Sequence, residues 1–107
     1  MLIALYRWKI KPDLEQQFID RWSEITLYYR ENHGSLGSRL HRGNDGLFYG
    51  YAMWPSIEQR ATAFDTGGEH PARSGMIEAI GESFPEVLLD VEADFLMPNV
   101  EPIVKSE

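Results

Sequence analysis

The chain has 107 residues, no cysteine, and a formal net charge of −7 from 17 acidic and 10 basic side chains. This length predicts one domain with a single core, and the negative charge argues against a nucleic-acid partner. The lack of cysteine excludes disulfides and thiolate chemistry. No leader and no apolar run of membrane-spanning length is visible, so we expect a cytoplasmic location without a membrane partner.

The first elements are a strand and a long helix. Residues 2–10 alternate between two faces, which is typical of a strand. Pro12 then breaks the strand and suits the first turn of a helix. Apolar side chains recur every three or four positions from Leu14, and Gly34 stands where a left-handed cap ends a helix. The pattern predicts a helix over residues 13–32.

The next segment predicts a β-hairpin made of residues 34–42 and 47–54. A two-residue or a four-residue loop within the turn 43–46 would set Arg42 opposite Leu47. A three-residue loop would invert the faces of the second strand. With an even loop, one set of side chains faces the helices: Arg39, His41, Phe48, Gly50, Ala52 and Trp54.

The rest of the chain predicts two short helical pieces and a last strand. Ser56 has the spacing of a helix cap and begins a helix that runs through Phe64. A glycine pair interrupts it, and a second piece ends at Gly81. Alternation then predicts a final strand from Val87 to Leu96.

The order βαββαβ is typical of the ferredoxin-like α+β fold, in which helices cover one face of an antiparallel sheet. We assign residues 1–97 to this domain and residues 98–107 to an extension or arm. The uncovered face would carry side chains from the third strand: Leu47, Tyr49, Tyr51 and Met53. Such an apolar face is unusual for a monomer. We therefore predict a homodimer in which the two sheets pack as a dimeric α+β barrel.

Several segments resemble the antibiotic biosynthesis monooxygenase superfamily. They are the turn 11–13, the long helix, the glycine-rich strand from Gly34, and the residues 54–56 that precede the next helix. The resemblance covers nearly the whole chain. It implies a dimeric α+β barrel with a pocket between the sheet and the helices of each subunit. The activities that it implies include cofactor-free oxidation of aromatic compounds or quinols, haem breakdown, or no reaction.

The haem-degrading branch uses an Asn on the first strand, a Trp at the end of the third, and an axial His in the next helix. Trp54 matches the Trp, but the Asn position falls at or near Tyr6 and the His position at Phe64. Phenylalanine cannot bind iron. His70 lies beyond the glycine pair and reaches the pocket only if that segment folds back. We therefore disfavour haem degradation and expect no cofactor and no metal site.

A pocket for a small aromatic molecule is the enzymatic interpretation of the same residues. His41 would remove a proton from a phenol, and Arg39 would stabilise the anion, which can react with oxygen without a metal. Tyr6 and Trp54 complete the predicted catalytic set. The predicted ligand-binding residues are Trp8, Trp22, Phe48, Gly50, Ala52 and Phe64.

A structural interpretation stands beside the enzymatic one. Trp54 and Phe48 are the kind of aromatic residue that fills a core. Arg39 and His41 lie near the end of what can be an edge strand, where side chains often face solvent. The protein would then be a ligand-binding or sensing dimer without chemistry.

Overall fold

Five strands and three α-helices form the fold in a computed structural model that describes residues 1–97. They are β1 (Leu2–Ile10), α1 (Glu15–Asn32), β2 (Gly37–Arg42), β3 (Phe48–Trp54), α2 (Ile57–Gly67), α3 (Arg73–Ala79), β4 (Ile80–Ser83) and β5 (Val87–Asp90). A short 3₁₀ turn, Pro12–Leu14, leads into α1. The predicted extension at 98–107 lies outside the described residues.

The strands form one antiparallel sheet in the order β2-β3-β1-β4, and β5 also pairs with β1. On one side β1 pairs with β3 over most of its length. On its other side β5 pairs with the first half of β1 and β4 with the second half. This arrangement confirms the predicted ferredoxin-like α+β fold.

The last part of the sheet differs from the sequence prediction. The chain passes directly from α3 into β4, so Gly81 lies in a strand and does not end a helix. The strand expected within 87–96 ends at Asp90. Pro85 lies between β4 and β5 and has no N–H to donate to a ladder. The last strand is therefore shorter than predicted, and an additional strand, β4, precedes it.

The turn between β2 and β3 sets a register that the sequence analysis did not choose. Arg42 pairs with Phe48 and not with Leu47, because residues 43–47 all belong to the turn. The Gly43 N–H donates to the Leu47 carbonyl at 2.7 Å, which closes this odd-length turn. The predicted even loop was wrong, and the faces of β2 are the reverse of those expected.

Contacts across the sheet agree with the inverted register. Arg42 lies on the helix-covered face, where its Nη1 donates to Glu15 of α1 at 2.8 Å. Arg39 and His41 alternate with it and lie on the other face, hereafter the outer face. The expected faces of β1 and β3 are confirmed, since the β1–β3 register places Trp8 beside Phe48.

The helix-covered face packs as two clusters at opposite ends of β1. The Phe18 cluster contains Trp8, Ile10, Phe18, Phe48 and Ala79. The Trp54 cluster contains Leu2, Trp54 and Ala63. Phe18 makes edge-to-face contacts with two rings, at centroid distances of 5.1 and 5.6 Å. Each such pair adds about 0.5–1.5 kcal/mol beyond area burial.

The helix ends follow the local sequence. Gly34 has φ +79° after α1, as the predicted left-handed cap requires. The Ser56 hydroxyl accepts the Gln59 N–H at 3.1 Å, which confirms the predicted start of α2. The Gln59 amide donates to the His33 carbonyl at 3.2 Å and ties α2 to the end of α1. No helix within residues 1–97 has the length and apolar character needed to cross a bilayer.

Candidate functional site

A cavity of about 810 Å³ lies between the sheet and the helices. The middle of the sheet carries small side chains, because Ala4 of β1 pairs with Ala52 of β3, and Ala52 pairs with Ser38 of β2. The bulky rings are at the two ends, in the Phe18 and Trp54 clusters. A row of small residues between two packed clusters therefore leaves the space open.

Most of the predicted site residues line this cavity. They are Tyr6, Trp8, Trp22, Gly50, Ala52, Trp54 and Phe64. Phe48 does not: it is 2% exposed and packs in the Phe18 cluster, as the structural interpretation would have it. The roles assigned to the lining residues stay predictions.

Gly50 has no side chain and therefore leaves room for the Trp8 indole in the cavity wall. A Cβ at this position would lie 3.0 Å from Trp8 Cζ3, so the indole covers the glycine. The same indole stacks on Tyr6 at a centroid distance of 5.4 Å and an interplanar angle of 11°. The cavity is therefore lined here by a stacked aromatic pair.

Arg39 and His41 lie on the outer face, so their predicted place in the pocket is wrong. The His41 ring stacks on Tyr51 at 5.6 Å, and the Arg39 guanidinium lies 5.9 Å from the centroid of the same ring. Both residues are exposed. The sheet separates them from the cavity because the odd-length turn reversed the faces of β2.

The cavity contains a polar group that the sequence analysis missed. Arg60 Nη2 donates to the Tyr6 hydroxyl at 3.0 Å and to Glu86 Oε2 at 2.7 Å. Arg60 comes from the first turns of α2, and Glu86 from the connection between β4 and β5. The Arg60 side chain is only 12% exposed. A signal existed: Arg60 precedes Phe64 by one helical turn, so it shares the face already assigned to the pocket.

The environment keeps the Tyr6 hydroxyl neutral. Burial raises the pKa of Tyr6 above its usual value, and this effect outweighs the nearby Arg60 charge, which lowers it. The Glu86 carboxylate raises the same pKa further. Burial lowers the pKa of Arg60, but its contacts with Tyr6 and Glu86 outweigh that effect and raise it. The site therefore presents a neutral phenol beside a permanent cation.

Two buried N–H groups of cavity-lining residues have no hydrogen-bond partner among residues 1–97. They are Trp54 Nε1 and Arg60 Nε. Leaving a buried donor unpaired costs about 1–3 kcal/mol. Unpaired donors of this kind are expected where a ligand supplies acceptor atoms.

His70 also lines the cavity, because the segment after α2 folds back over it. The Tyr28 hydroxyl donates to the Gly67 carbonyl at 2.9 Å, and the Tyr28 ring contacts His70 at a centroid distance of 4.9 Å. The Ala72 N–H donates to His70 Nδ1 at 3.0 Å. Because Nδ1 accepts this bond, a neutral His70 carries its proton on Nε2.

The residues present do not fit an axial haem ligand. Phe64, at the position where the resemblance would place the axial His, is in the cavity wall. A neutral His that binds iron through Nε2 holds its proton on Nδ1, but Nδ1 of His70 faces the Ala72 N–H donor. Within residues 1–97, no three His, Asp or Glu side chains lie together as a metal would require.

Comparisons with known proteins identify the fold. No protein-family model matches the sequence, and no curated protein matches it. Several solved structures, however, match the structure of this chain. SnoaB, a cofactor-independent oxygenase from Streptomyces nogalater, matches with a TM-score of 0.72 and 14% identity over 87% of this chain and 94% of SnoaB.

Two other solved structures are similar to this chain over a comparable length. An antibiotic biosynthesis monooxygenase has a TM-score of 0.70 and 18% identity, over 87% of this chain and all of its own. Rv0793 from Mycobacterium tuberculosis has a TM-score of 0.69 and 14% identity, over 87% of this chain and 96% of its own. At these identities the likeness shows the fold alone. This chain has the antibiotic biosynthesis monooxygenase fold.

Proposed function

We propose that the chain is a cofactor-free monooxygenase for a small aromatic phenol or quinol, which binds in the cavity between the sheet and the helices. The observation that carries the proposal is the Tyr6 hydroxyl, held by Arg60 on the wall of an aromatic cavity. The fold shared with SnoaB, a cofactor-independent oxygenase, supports the same reaction class.

The cavity favours a planar aromatic ligand. Its volume, about 810 Å³, is in the usual range for small-molecule sites. The stacked rings of Tyr6 and Trp8 line it, and a ligand ring can extend this stack. Aromatic rings prefer such offset stacking, and their burial is favourable in itself.

Tyr6 and Arg60 can stabilise an oxyanion on the ligand. The Tyr6 oxygen accepts a bond from Arg60, so its own O–H remains available to donate. Donating that O–H to a phenolate oxygen would place the Arg60 charge behind the developing anion. Donors fixed in this way stabilise charge strongly in a dry site. This is the role that the sequence analysis gave to Arg39.

Glu86 is the group best placed to receive the phenol proton. As the ligand hydroxyl donates to the Tyr6 oxygen, Tyr6 passes its own proton to Glu86, whose charge already acts on the Tyr6 pKa. The Glu86 side chain is 39% exposed, so it can release the proton to water. Glu86 thereby replaces His41 in the proposed mechanism.

The chemistry balances without a cofactor. Naphthohydroquinone, ionised in the cavity, and one O₂ molecule give a hydroxynaphthoquinone and water: one oxygen atom enters the ring, and the other leaves as water after taking back the proton that the quinol lost on ionisation. The substrate supplies all four electrons, two from the quinol and two from the ring C–H bond. The protein has only to bind the quinol, stabilise its anion and admit oxygen.

A non-catalytic ligand-binding or sensing protein is the second candidate. One observation favours it: a Glu86 carboxylate oxygen already accepts a hydrogen bond from Arg60 at 2.7 Å, so that oxygen is occupied before any ligand binds. Such a protein would bind the same aromatic ligand in the same cavity and consume no oxygen.

Oxygen uptake tests the proposal. We expect the protein alone to accelerate oxygen consumption by naphthohydroquinone and to place one atom of labelled oxygen in the product. Ala52→Leu should lower this activity at least tenfold, because the added carbons fill the cavity; Ala61→Leu, on the exposed side of α2, is the matched control. Ligand-dependent thermal stabilisation without oxygen uptake would favour the binding protein, and release of hydrogen peroxide without labelled product would exclude a monooxygenase.

We also propose that a second copy of the chain covers the outer face and that the protein acts in the cytoplasm. Tyr49, Tyr51 and Met53 project there from β3. The predicted interface residue Leu47 lies in the turn instead of the strand. Cross-strand partners extend the apolar surface to Ile3, Leu5, Val87 and Leu89. Side chains of this size each gain about 1.5–3 kcal/mol on full burial.

A further inference from the structure

The cavity has a second polar end, in the segment that joins α2 to α3. His70 and Arg73 both line the cavity there. The mechanism proposed above uses neither residue, because it places the reacting oxygen at Tyr6 and Arg60.

His70 is fixed as a hydrogen-bond donor. Its Nδ1 accepts the Ala72 N–H, and its ring packs against Tyr28. The neutral ring therefore has a single donor, Nε2–H, and its one acceptor nitrogen is already occupied. A ligand group that meets this nitrogen must accept a hydrogen bond.

Arg73 adds a loosely held positive charge to the same end. Its Nε lies 3.9 Å from Glu69, which is beyond hydrogen-bond distance, and the Glu69 side chain is 81% exposed. An exposed ion pair of this kind contributes little. A ligand anion can therefore displace Glu69 from Arg73.

Arg60 and Arg73, the two arginines of the cavity, differ in the ligand group that each can bind. Glu86 contacts Arg60 at 2.7 Å and balances its charge, so that end suits a hydroxyl that ionises only during the reaction. Glu69 is 3.9 Å from Arg73 and more exposed than Glu86, so it balances the Arg73 charge less well. The Arg73 end of the cavity therefore suits a ligand group that is permanently anionic. A planar carboxylate matches the fork of a guanidinium.

The two polar groups of the cavity are separated along α2. An α-helix rises about 1.5 Å per residue, which separates Arg60 from Gly67 by about 10 Å along α2. His70 follows Gly67 by three residues, in the segment that folds back over the cavity. Between the two ends the cavity wall is mainly apolar and aromatic.

We propose that the ligand is an aromatic carboxylate, with its hydroxyl at Tyr6 and Arg60 and its carboxylate at His70 and Arg73. This inference names the substrate class of the proposed site and rests on the proposed function for the assignment of the hydroxyl end. A hydroxylated aromatic acid with a short spacer between ring and carboxylate carries the two required groups at opposite ends.

Calorimetric binding of para-hydroxycinnamate and its methyl ester tests the inference. We expect the acid to bind about tenfold or more tightly than the ester, since a hydrogen bond to a charged group is worth that much. Arg73→Met should remove this preference while leaving affinity for the ester within about twofold. Arg30→Met, an equal change in charge on the exposed surface of α1, should keep the preference.

The outcomes separate the two proposals. Equal affinity for acid and ester, binding of neither, or an unchanged preference in Arg73→Met overturns the carboxylate inference, whatever the oxygen assay shows. A preference that Arg73→Met abolishes supports it even if naphthohydroquinone is not oxidised, in which case only the monooxygenase proposal fails.

Discussion

Tyr6→Phe is expected to lower the turnover of naphthohydroquinone about 100-fold, because removing one preorganised donor to an oxyanion typically has an effect of this size. The ring keeps its stack on Trp8, so the aromatic wall of the cavity survives. Only the hydroxyl between Arg60 and the ligand is lost. Stopped-flow oxygen uptake with the purified variant measures the change.

Tyr49→Phe is the matched control for that experiment. It also removes one phenol hydroxyl, but Tyr49 projects on the outer face and its hydroxyl donates to the exposed Asp45. We expect its turnover to stay within about twofold of the unaltered protein. Equal rates for Tyr6→Phe and the unaltered protein would remove the hydroxyl from the mechanism.

The pH dependence of oxygen uptake provides a second test of the role of the Tyr6 hydroxyl. Its pKa is raised in the folded protein, so the hydroxyl stays protonated below the ordinary value of 10.0 and ionises only above it. The stability from the buried neutral hydroxyl is accordingly present below that pH and lost as the pH rises through the folded pKa. We expect oxygen uptake not to decline through loss of the Tyr6 proton until the pH exceeds about 10. A decline in the neutral range that Tyr6→Phe abolishes would contradict this assignment.

The fold could be predicted because each of its signals is local. Alternation marked β1, periodicity marked α1, and Gly34 and Ser56 marked helix ends that the structure reproduces. The early end of the last strand was missed because its hydrophobic alternation looks continuous beyond Asp90. Pairing with β1, which ends there, is a tertiary property.

The site was only partly predictable, for a related reason. Tyr6 and Trp54 lie on strands whose faces follow from alternation alone, and both line the cavity. The predicted face of Arg39 and His41 depended on the length of the turn between β2 and β3. A change of one residue in that turn moves the side chains of the whole strand to the other face of the sheet. Arg60 and Glu86 meet across elements that are distant in sequence, and no local pattern pairs them.

Tyr51→Glu is expected to convert the proposed dimer into a monomer. Tyr51 lies within the apolar outer face, between Arg39 on β2 and Leu5 on β1. Burying an added carboxylate there between two sheets would carry a desolvation penalty of several kcal/mol. That penalty is comparable with the gain from burying two or three of the apolar side chains.

Sedimentation equilibrium measures this effect, with Thr62→Glu on the exposed surface of α2 as the control that carries the same charge. We expect a dimer for the unaltered protein and the control, and a monomer of 12.3 kDa for Tyr51→Glu. Circular dichroism shows whether the variant is folded, and Tyr51→Ala is the milder substitution if it is not. A monomeric unaltered protein would leave the outer face to another partner, and a dimer that persists in both Tyr51 variants would place the interface elsewhere on the surface.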